Sequence, residues 1–315
     1  MSLSTSNSKV SVTFCLKQPM RSLLRPLVVC LFFLVLYYTL VVGGVIPASD
    51  GINQRQVNQI KAERYMYSVR DPNLVLVGSS MTAVLQEKYF DYPQVTNIAL
   101  SGESSQTGLK LVALKNKKPE ILLVELNYTL TLETDSEIIG AIQHPLLQFV
   151  KTWFPIFRNE YQPVSVLVHY LKSHFGGNAD SASAQIPTQD LREKLIARVI
   201  EREQDNLSPK TKKEMAKQSK LIKQQLIEIQ NKGVRVVLFN VPGEVRVAKT
   251  PQRQQERALI RSLFPADTFE WLPEPATEDW ITYDGIHLVR PDAKKFARFI
   301  EDRVMNSQDF QTGAM

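Results

Sequence analysis

Leu74-Val75-Leu76-Val77-Gly78-Ser79-Ser80-Met81 is the stretch that decides how this chain folds. Four apolar residues in a row, without polar alternation, suit a strand buried on both faces, as in a parallel sheet. Gly78 permits a tight turn, and a serine then stands where strand passes into helix. Backbone N–H groups at such a junction point toward an incoming anion. The same arrangement serves as an N-cap, as an anion-binding turn or as the seat of a nucleophile.

Three more largely apolar runs of strand length follow: Val95–Leu100, Ile121–Leu126 and Val234–Phe239. Helical stretches come after them, over Met81–Tyr89, over Gln106–Lys115, and in a long segment before the fourth run. Ser208 as N-cap and Pro209 at the first position open that long helix, and Gly233 at C′ closes it. A last helix begins at Pro291, with Ala293, Phe296, Ala297, Ile300 and Val304 as its apolar stripe. Strand and helix alternating in this way predict an α/β doubly wound domain, with ligands outside the carboxyl ends of the strands. Residues 51–72 read as a helical lead-in. Residues 130–207 read as an insertion carrying Trp153, Phe154, Phe157, Tyr161 and Tyr170, with a polar loop over Gly176–Gln189. Such an insertion serves as a lid, a docking surface or a plain helical subdomain.

A 43% hydrophobic and 22% charged chain of 315 residues is globular in composition. Its net charge of +6 is dispersed over the N-terminal tail, Lys210–Lys223 and Arg246–Arg261. Dispersed charge predicts no nucleic-acid partner and is compatible with anionic lipid or acidic polysaccharide. The two cysteines, Cys15 and Cys30, both precede the globular part. That part therefore has no disulfide, thiolate metal site or cysteine nucleophile. With no glycine-rich phosphate loop and no His/Cys cluster, neither a cofactor nor a metal is expected.

Leu27–Ile46 contains no charge over twenty residues, the length that crosses a bilayer core. A secretory h-region is shorter, so an uncleaved anchor is expected, although Val45–Ser49 would also suit cleavage. Lys17, Arg21 and Arg25 lie just before the span, and Arg55 is the comparable charge after it. The positive-inside bias makes residues 1–26 a cytoplasmic tail and 27–46 a single transmembrane anchor. Residues 51–315 then form a domain on the extracytoplasmic, periplasmic side of the inner membrane.

Far from the Gly-Ser-Ser turn stands Asp284-Gly285-Ile286-His287, just before the last helix. In a turn, a carboxylate three residues before a histidine can hold its Nδ1–H and leave Nε2 free as a base. The competing view is a helix-entry loop with incidental polar residues. His144, His169 and His174 have no acidic partner at such spacing and read as structural or surface residues. Gly102 ends the second strand and Asn127 the third. A glycine N–H and an asparagine amide are suitable oxyanion donors, and Asn127 is equally a strand-end turn residue.

The order Ser80, Gly102, Asn127, Asp284-x-x-His287 resembles the SGNH (GDSL-like) hydrolase superfamily. In that family Ser, Gly, Asn and His come from four separated blocks, and the Asp precedes the His by three. The resemblance covers about residues 73–129 and 234–305 and leaves out the anchor and the insertion. Two blocks depart from the family pattern. Gly-Asp-Ser becomes Gly78-Ser79-Ser80, and Gly-x-Asn-Asp becomes Glu125-Leu126-Asn127-Tyr128. Gly-Ser-Ser forms are found among membrane-anchored members tied to cell-envelope polymers, such as teichoic acid D-alanyl transfer and alginate O-acetylation proteins.

What the resemblance implies is a flavodoxin-like three-layer sandwich carrying a Ser80–His287–Asp284 triad, with Ser80 rather than Ser79 as nucleophile. Gly102 and Asn127 would hold the oxyanion. The implied activity is a serine esterase or O-acyltransferase acting on an envelope or exported polysaccharide as acyl acceptor, with a membrane-bound acyltransferase as a possible partner. The departures at Ser79 and Glu125 leave an alternative of another class: a catalytically weak binding or assembly factor that grips such an acyltransferase or a glycan through the aromatic insertion.

Overall fold

The computed structural model describes residues 17–175, 187–275 and 280–312. Most of the N-terminal tail, with Cys15, and all but the last three residues of the Gly176–Gln189 loop lie outside them. Helix α1, Lys17–Val42, carries the apolar segment. Its stretch Leu24–Val42, with mean hydropathy 2.2, is long and apolar enough to cross a membrane, and almost none of it is buried in the protein. The helix stops four residues earlier than the apolar run. Gly43 and Gly44 break it, Gly44 in the left-handed region at φ +72°. Helix α2, Gln54–Tyr67, follows, capped by Asn53, whose side chain accepts from the Gln56 N–H.

The core is a five-stranded, all-parallel sheet. Its strands are β1 (Leu74–Val77), β2 (Val95–Asn97), β3 (Ile121–Glu125), β4 (Arg235–Phe239) and β5 (Glu270–Trp271), ordered β2-β1-β3-β4-β5. Alternate side chains of each strand enter opposite cores. Val75, Val77, Leu122, Val124, Val236 and Leu238 face one. Leu74, Leu76, Ile121, Leu123, Val237 and Phe239 face the other. The first is covered by helix α4 (Ser105–Leu114) and the helices Pro209–Gln230 and Pro251–Leu263, the second chiefly by the last helix, Arg290–Thr312. The apolar stripe read in the last helix is fully buried there. Burying each large side chain of that kind contributes roughly 1.5–3 kcal/mol.

Three expectations need correction. The helix expected over Met81–Tyr89 is split into α3, Ser80–Ala83, and a 3-10 turn at Glu87–Tyr89. The Asn97 amide explains the break by donating to the carbonyls of Thr82 (2.8 Å) and Leu85 (2.7 Å), which a continuing helix would have used itself. Strand β2 ends at Asn97, although the backbone stays paired beyond it, with Ile98 N–H on Leu76 O and Leu100 N–H on Gly78 O. Strand β5 has no apolar run to announce it. It is a two-residue edge strand next to β4. The long helix begins at Pro209 under a Ser208 cap, but its C-cap is Asn231, so Gly233 (φ +83°) lies one residue beyond C′.

Helices α5 (Ser136–Gln143), α6 (Pro145–Trp153) and α7 (Pro163–Phe175) occupy most of the segment read as an insertion. The next helix, Gln189–Arg202, behaves differently. It buries Ile196 and Val199 in the second core and so belongs to the sandwich.

One close approach depends on a missing side chain. A Cβ on Gly108, in the helix covering β1, would lie 2.9 Å from Cβ and Cγ1 of Val77. Alanine is the better helix former by about 1 kcal/mol, yet the overpacking should win. Gly108→Ala is expected to destabilise the fold by about 1–3 kcal/mol in equilibrium denaturation. A gain in stability would show that this helix and β1 are not packed so closely.

Candidate active site

Ser79 and Ser80 are chemical neighbours with opposite surroundings. Ser79 caps α3, is 1% exposed, and accepts from the Met81 N–H through its hydroxyl oxygen. Its own O–H donates to Glu125 Oε1 at 2.9 Å. Ser80, the first residue of α3, is half-buried and turns its hydroxyl the other way, to His287.

His287 arrives from a loop built around its own carboxylate. Asp284 Oδ1 accepts the backbone N–H groups of Ile286 (3.0 Å) and His287 (2.9 Å), while Oδ2 meets His287 Nδ1 at 2.8 Å. The turn requires Gly285 twice over. Its φ is +95°, and a Cβ would lie 3.0 Å from Val247 Cγ2. Thr282, fully buried, accepts the Gly285 N–H at 3.0 Å. Arg192, from the helix Gln189–Arg202, donates to Thr282 O at 2.8 Å and pairs with Glu244 at 2.5 Å. A helix that sequence reasoning assigned to the insertion thus braces the histidine loop.

The two distant motifs meet at 2.8 Å, between His287 Nε2 and Ser80 Oγ. With Asp284 facing Nδ1, the matching tautomer has its proton on Nδ1 and leaves Nε2 to accept from the serine. Burial pushes the Asp284 carboxyl up. The hydrogen bond and charge of His287 and the two backbone N–H donors outweigh it, and the group settles at about 2. It therefore stays ionised at neutral pH.

Asn127 and Gly102 follow β3 and β2, the strands on either side of β1, and lie outside that hydrogen-bonded chain. The Asn127 amide nitrogen contacts Glu125 Oε1, Ser79 Oγ (3.3 Å) and Met81 Sδ (3.0 Å), and its oxygen accepts from Thr129. Gly102 has φ +79° in the turn after β2, where Gln54 closes in on one side. That turn is tied to the Gly-Ser-Ser turn by the Leu100-to-Gly78 hydrogen bond.

Glu125 is the residue sequence reasoning did not single out as functional. It is 1% exposed at the end of β3. Its carboxylate accepts from Ser79 N (2.8 Å), Ser79 Oγ, Thr82 N (3.2 Å), Thr82 Oγ1 (2.5 Å) and the Asn127 amide. Burial pushes its pKa up, and the hydrogen bonds from Thr82 and Ser79 oppose that rise without cancelling it. Gly78 makes room, since a Cβ there would fall 2.4 Å from Glu125 Oε2 and 2.7 Å from Thr82 Oγ1. The available signal was a charged residue closing an otherwise apolar, buried strand. The other histidines stay apart from this site. His144 caps α6, and His174 stacks on Tyr170.

Next to Ser80 and His287 in sequence, Met81 and Ile286 line a cleft whose walls also include Asn127, Val241, Val247 and Arg257. Its walls mix these apolar side chains with polar ones, Glu244 and the buried Glu256 among them.

No protein-family model matches this chain, and neither does any curated protein sequence. Solved structures are similar to it, among them a protein from Streptococcus pneumonia, provisionally described as a platelet activating factor, 13% identical over 79% of this chain and 91% of its own, with a TM-score of 0.42. A likeness that distant says nothing about activity, which leaves the site's own geometry to speak for it.

Two outcomes are expected. The ordinary Asp value is about 3.9 and the folded value lies below it, so Asp284 adds stability above pH 4 that is lost as pH falls through about 2. That contribution is worth about 2 kcal/mol. Denaturation at pH 7, 4 and 2 should show this loss in the parent and not in Asp284→Asn; identical acid profiles would contradict it. Glu125→Ala strands several buried donors and should cost about 3 kcal/mol or more. Glu125→Gln, which keeps one acceptor oxygen, should cost less. A Glu125→Ala protein melting with the parent would mean that the carboxylate braces nothing.

Proposed function

We propose that this chain is a serine acyl-transfer enzyme of the SGNH type on a flavodoxin-like scaffold. The observation that carries the proposal is the continuous Ser80–His287–Asp284 hydrogen-bond chain, two bonds of 2.8 Å joining residues 207 positions apart. Incidental polar residues in a helix-entry loop have no reason to align Nε2 on a serine hydroxyl while Nδ1 is held by a carboxylate. The strand order β2-β1-β3-β4-β5 is the order of flavodoxin-like folds, and the site lies at the carboxyl edge of the sheet.

In this mechanism Ser80 Oγ attacks an ester carbonyl as His287 Nε2 takes its proton. Asp284 orients the imidazole and stabilises the imidazolium. The N–H groups of Ser80 and Gly102 and the amide of Asn127 hold the oxyanion; for Asn127 this means sharing an amide that already contacts Glu125 and Ser79. His287 returns the proton to the leaving group. The acyl group, lodged against Met81, Val247 and Ile286, passes to water in an esterase or to a sugar hydroxyl in a transferase. The apolar helix α1 and the Gly-Ser-Ser form support an envelope or exported polysaccharide as acceptor, with the domain held outside the inner membrane.

Treating the full-length chain with a fluorophosphonate and reading its intact mass tests the proposal. One adduct is expected, lost in Ser80→Ala and His287→Ala and retained in Ser79→Ala, whose hydroxyl is sealed against Glu125. An adduct that survives Ser80→Ala would place the nucleophile elsewhere. Asp284→Asn should slow labelling by roughly three to four orders of magnitude, since the imidazole would lose its preferred tautomer.

A further inference from the structure

Helices α6 and α7 present their apolar faces to the outside. In α6, Leu146, Phe149 and Trp153 recur at helical spacing, with Phe149 59% and Trp153 65% exposed. In α7, Val164, Leu167 and Leu171 repeat at three and four residues and are all exposed. Between them Phe154 and Phe157 are also exposed and pack edge to face. Residues 144–157 contain one charge, Lys151, and it is turned inward to Glu63 at 2.6 Å. Residues 161–171 contain no Asp, Glu, Lys or Arg. Stripes at this spacing normally face a core. Here they face away from it, and a contiguous apolar surface of this kind marks an interaction site.

The same surface continues α1. The Tyr37 hydroxyl donates to Tyr161 O at 2.6 Å, and the Tyr38 ring lies 6.4 Å from that of Phe154. Tyr37 and Tyr38 are about one turn from the end of α1 at Val42, which is where a spanning helix meets the headgroup layer and where tyrosine and tryptophan concentrate. The attachment is rigid. Glu160 accepts from Ser49 N (2.8 Å) through its carbonyl and from Arg64 Nε (2.7 Å) through its carboxylate. Glu63 holds both Lys151 and Asn159. The exit of α1 and the exposed stripes therefore keep one relative height.

We propose that the α6–α7 face lies in the interfacial layer of the bilayer that α1 crosses, so that the domain rests on the lipid surface instead of swinging from a tether. This depends on α1 being a membrane anchor. Lipid is the occupant favoured because the face is uncharged, carries Trp153 and tyrosines beside large aliphatic side chains, and is continuous with a helix of membrane-spanning character. The consequence is a fixed orientation of the Ser80 cleft over the membrane.

The test uses the full-length chain with Cys15 and Cys30 changed to Ser, reconstituted in phosphatidylcholine–phosphatidylglycerol vesicles. Spin labels are placed singly through Phe149→Cys, Trp153→Cys or Leu167→Cys. Leu31→Cys reports on α1, and Ala266→Cys, beside the far edge strand, gives the aqueous reference. At positions 149, 153 and 167, collisions with oxygen should exceed those with a water-soluble nickel chelate, at depths shallower than position 31; position 266 should show the reverse. Aqueous labels at 149, 153 and 167 with position 31 in lipid would overturn the proposal, leave the anchor standing, and assign the face to a protein partner. An aqueous label at position 31 would remove the anchor, and this proposal with it.

Discussion

Five donors converge on the two carboxylate oxygens of Glu125, and the serine half of the site is fixed by that convergence. The donors come from Ser79, Thr82 and Asn127, which are the capping residue of α3, its first turn, and the end of β3. Cross-linking them fixes the strand-to-helix turn and leaves Ser80 the one serine of the pair able to face outward. The arrangement demands a glycine at 78, because any side chain would overlap the carboxylate. It also draws the bracing carboxylate from the strand next to the turn and not from the turn itself. The carboxylate is absent from position 79 and present at position 125, on the adjacent strand, where its oxygens reach the same turn.

The histidine side is built by different means. Asp284 shapes its own loop by taking two backbone N–H groups with one oxygen and keeps the other for the imidazole. The charge on that carboxylate is secured by the same contacts that position it, so orientation and electrostatics come from one set of bonds. Support then spreads outward through Thr282 to Arg192 and Glu244. The helix carrying Arg192 lies more than a hundred residues from the serine turn in sequence, yet it abuts Gly285 through Ile196. Both halves of the site are thus held by networks of hydrogen-bonded polar groups, buried around Glu125 and partly buried around Asp284, the kind of network that rigidifies a structure.

Outside the sandwich, the chain is organised around the exit of α1. Ion pairs and backbone bonds from Glu63, Arg64 and Ser49 secure the 145–171 segment to the residues that leave the apolar helix. These contacts turn polar groups inward and aromatic ones outward, the inverse of a soluble helical subdomain.

Much of this was legible in the residues alone. Largely apolar runs at 74–77, 121–126 and 234–239, without regular polar alternation, announced buried parallel strands because a strand covered on both faces has no polar side to show. The stripe from Ala293 to Val304 announced a core helix, and the spacing of Asp284 and His287 announced a carboxylate-held imidazole because three residues of turn suffice for that contact. The two-residue strand β5 was not legible, since its place comes from pairing with β4 and not from its own composition. Nor was the break after Ala83, caused by an asparagine on the next strand. The sequence by itself determined the local parts: the strands, the apolar span, the glycine turn and the Asp–His pair. Only the tertiary structure decided that Ser80 meets His287, that Glu125 braces their turn, and that the stripes of α6 and α7 face away from the core. Contacts between segments far apart in the chain depend on how the sheet is ordered, and local periodicity carries no record of that order.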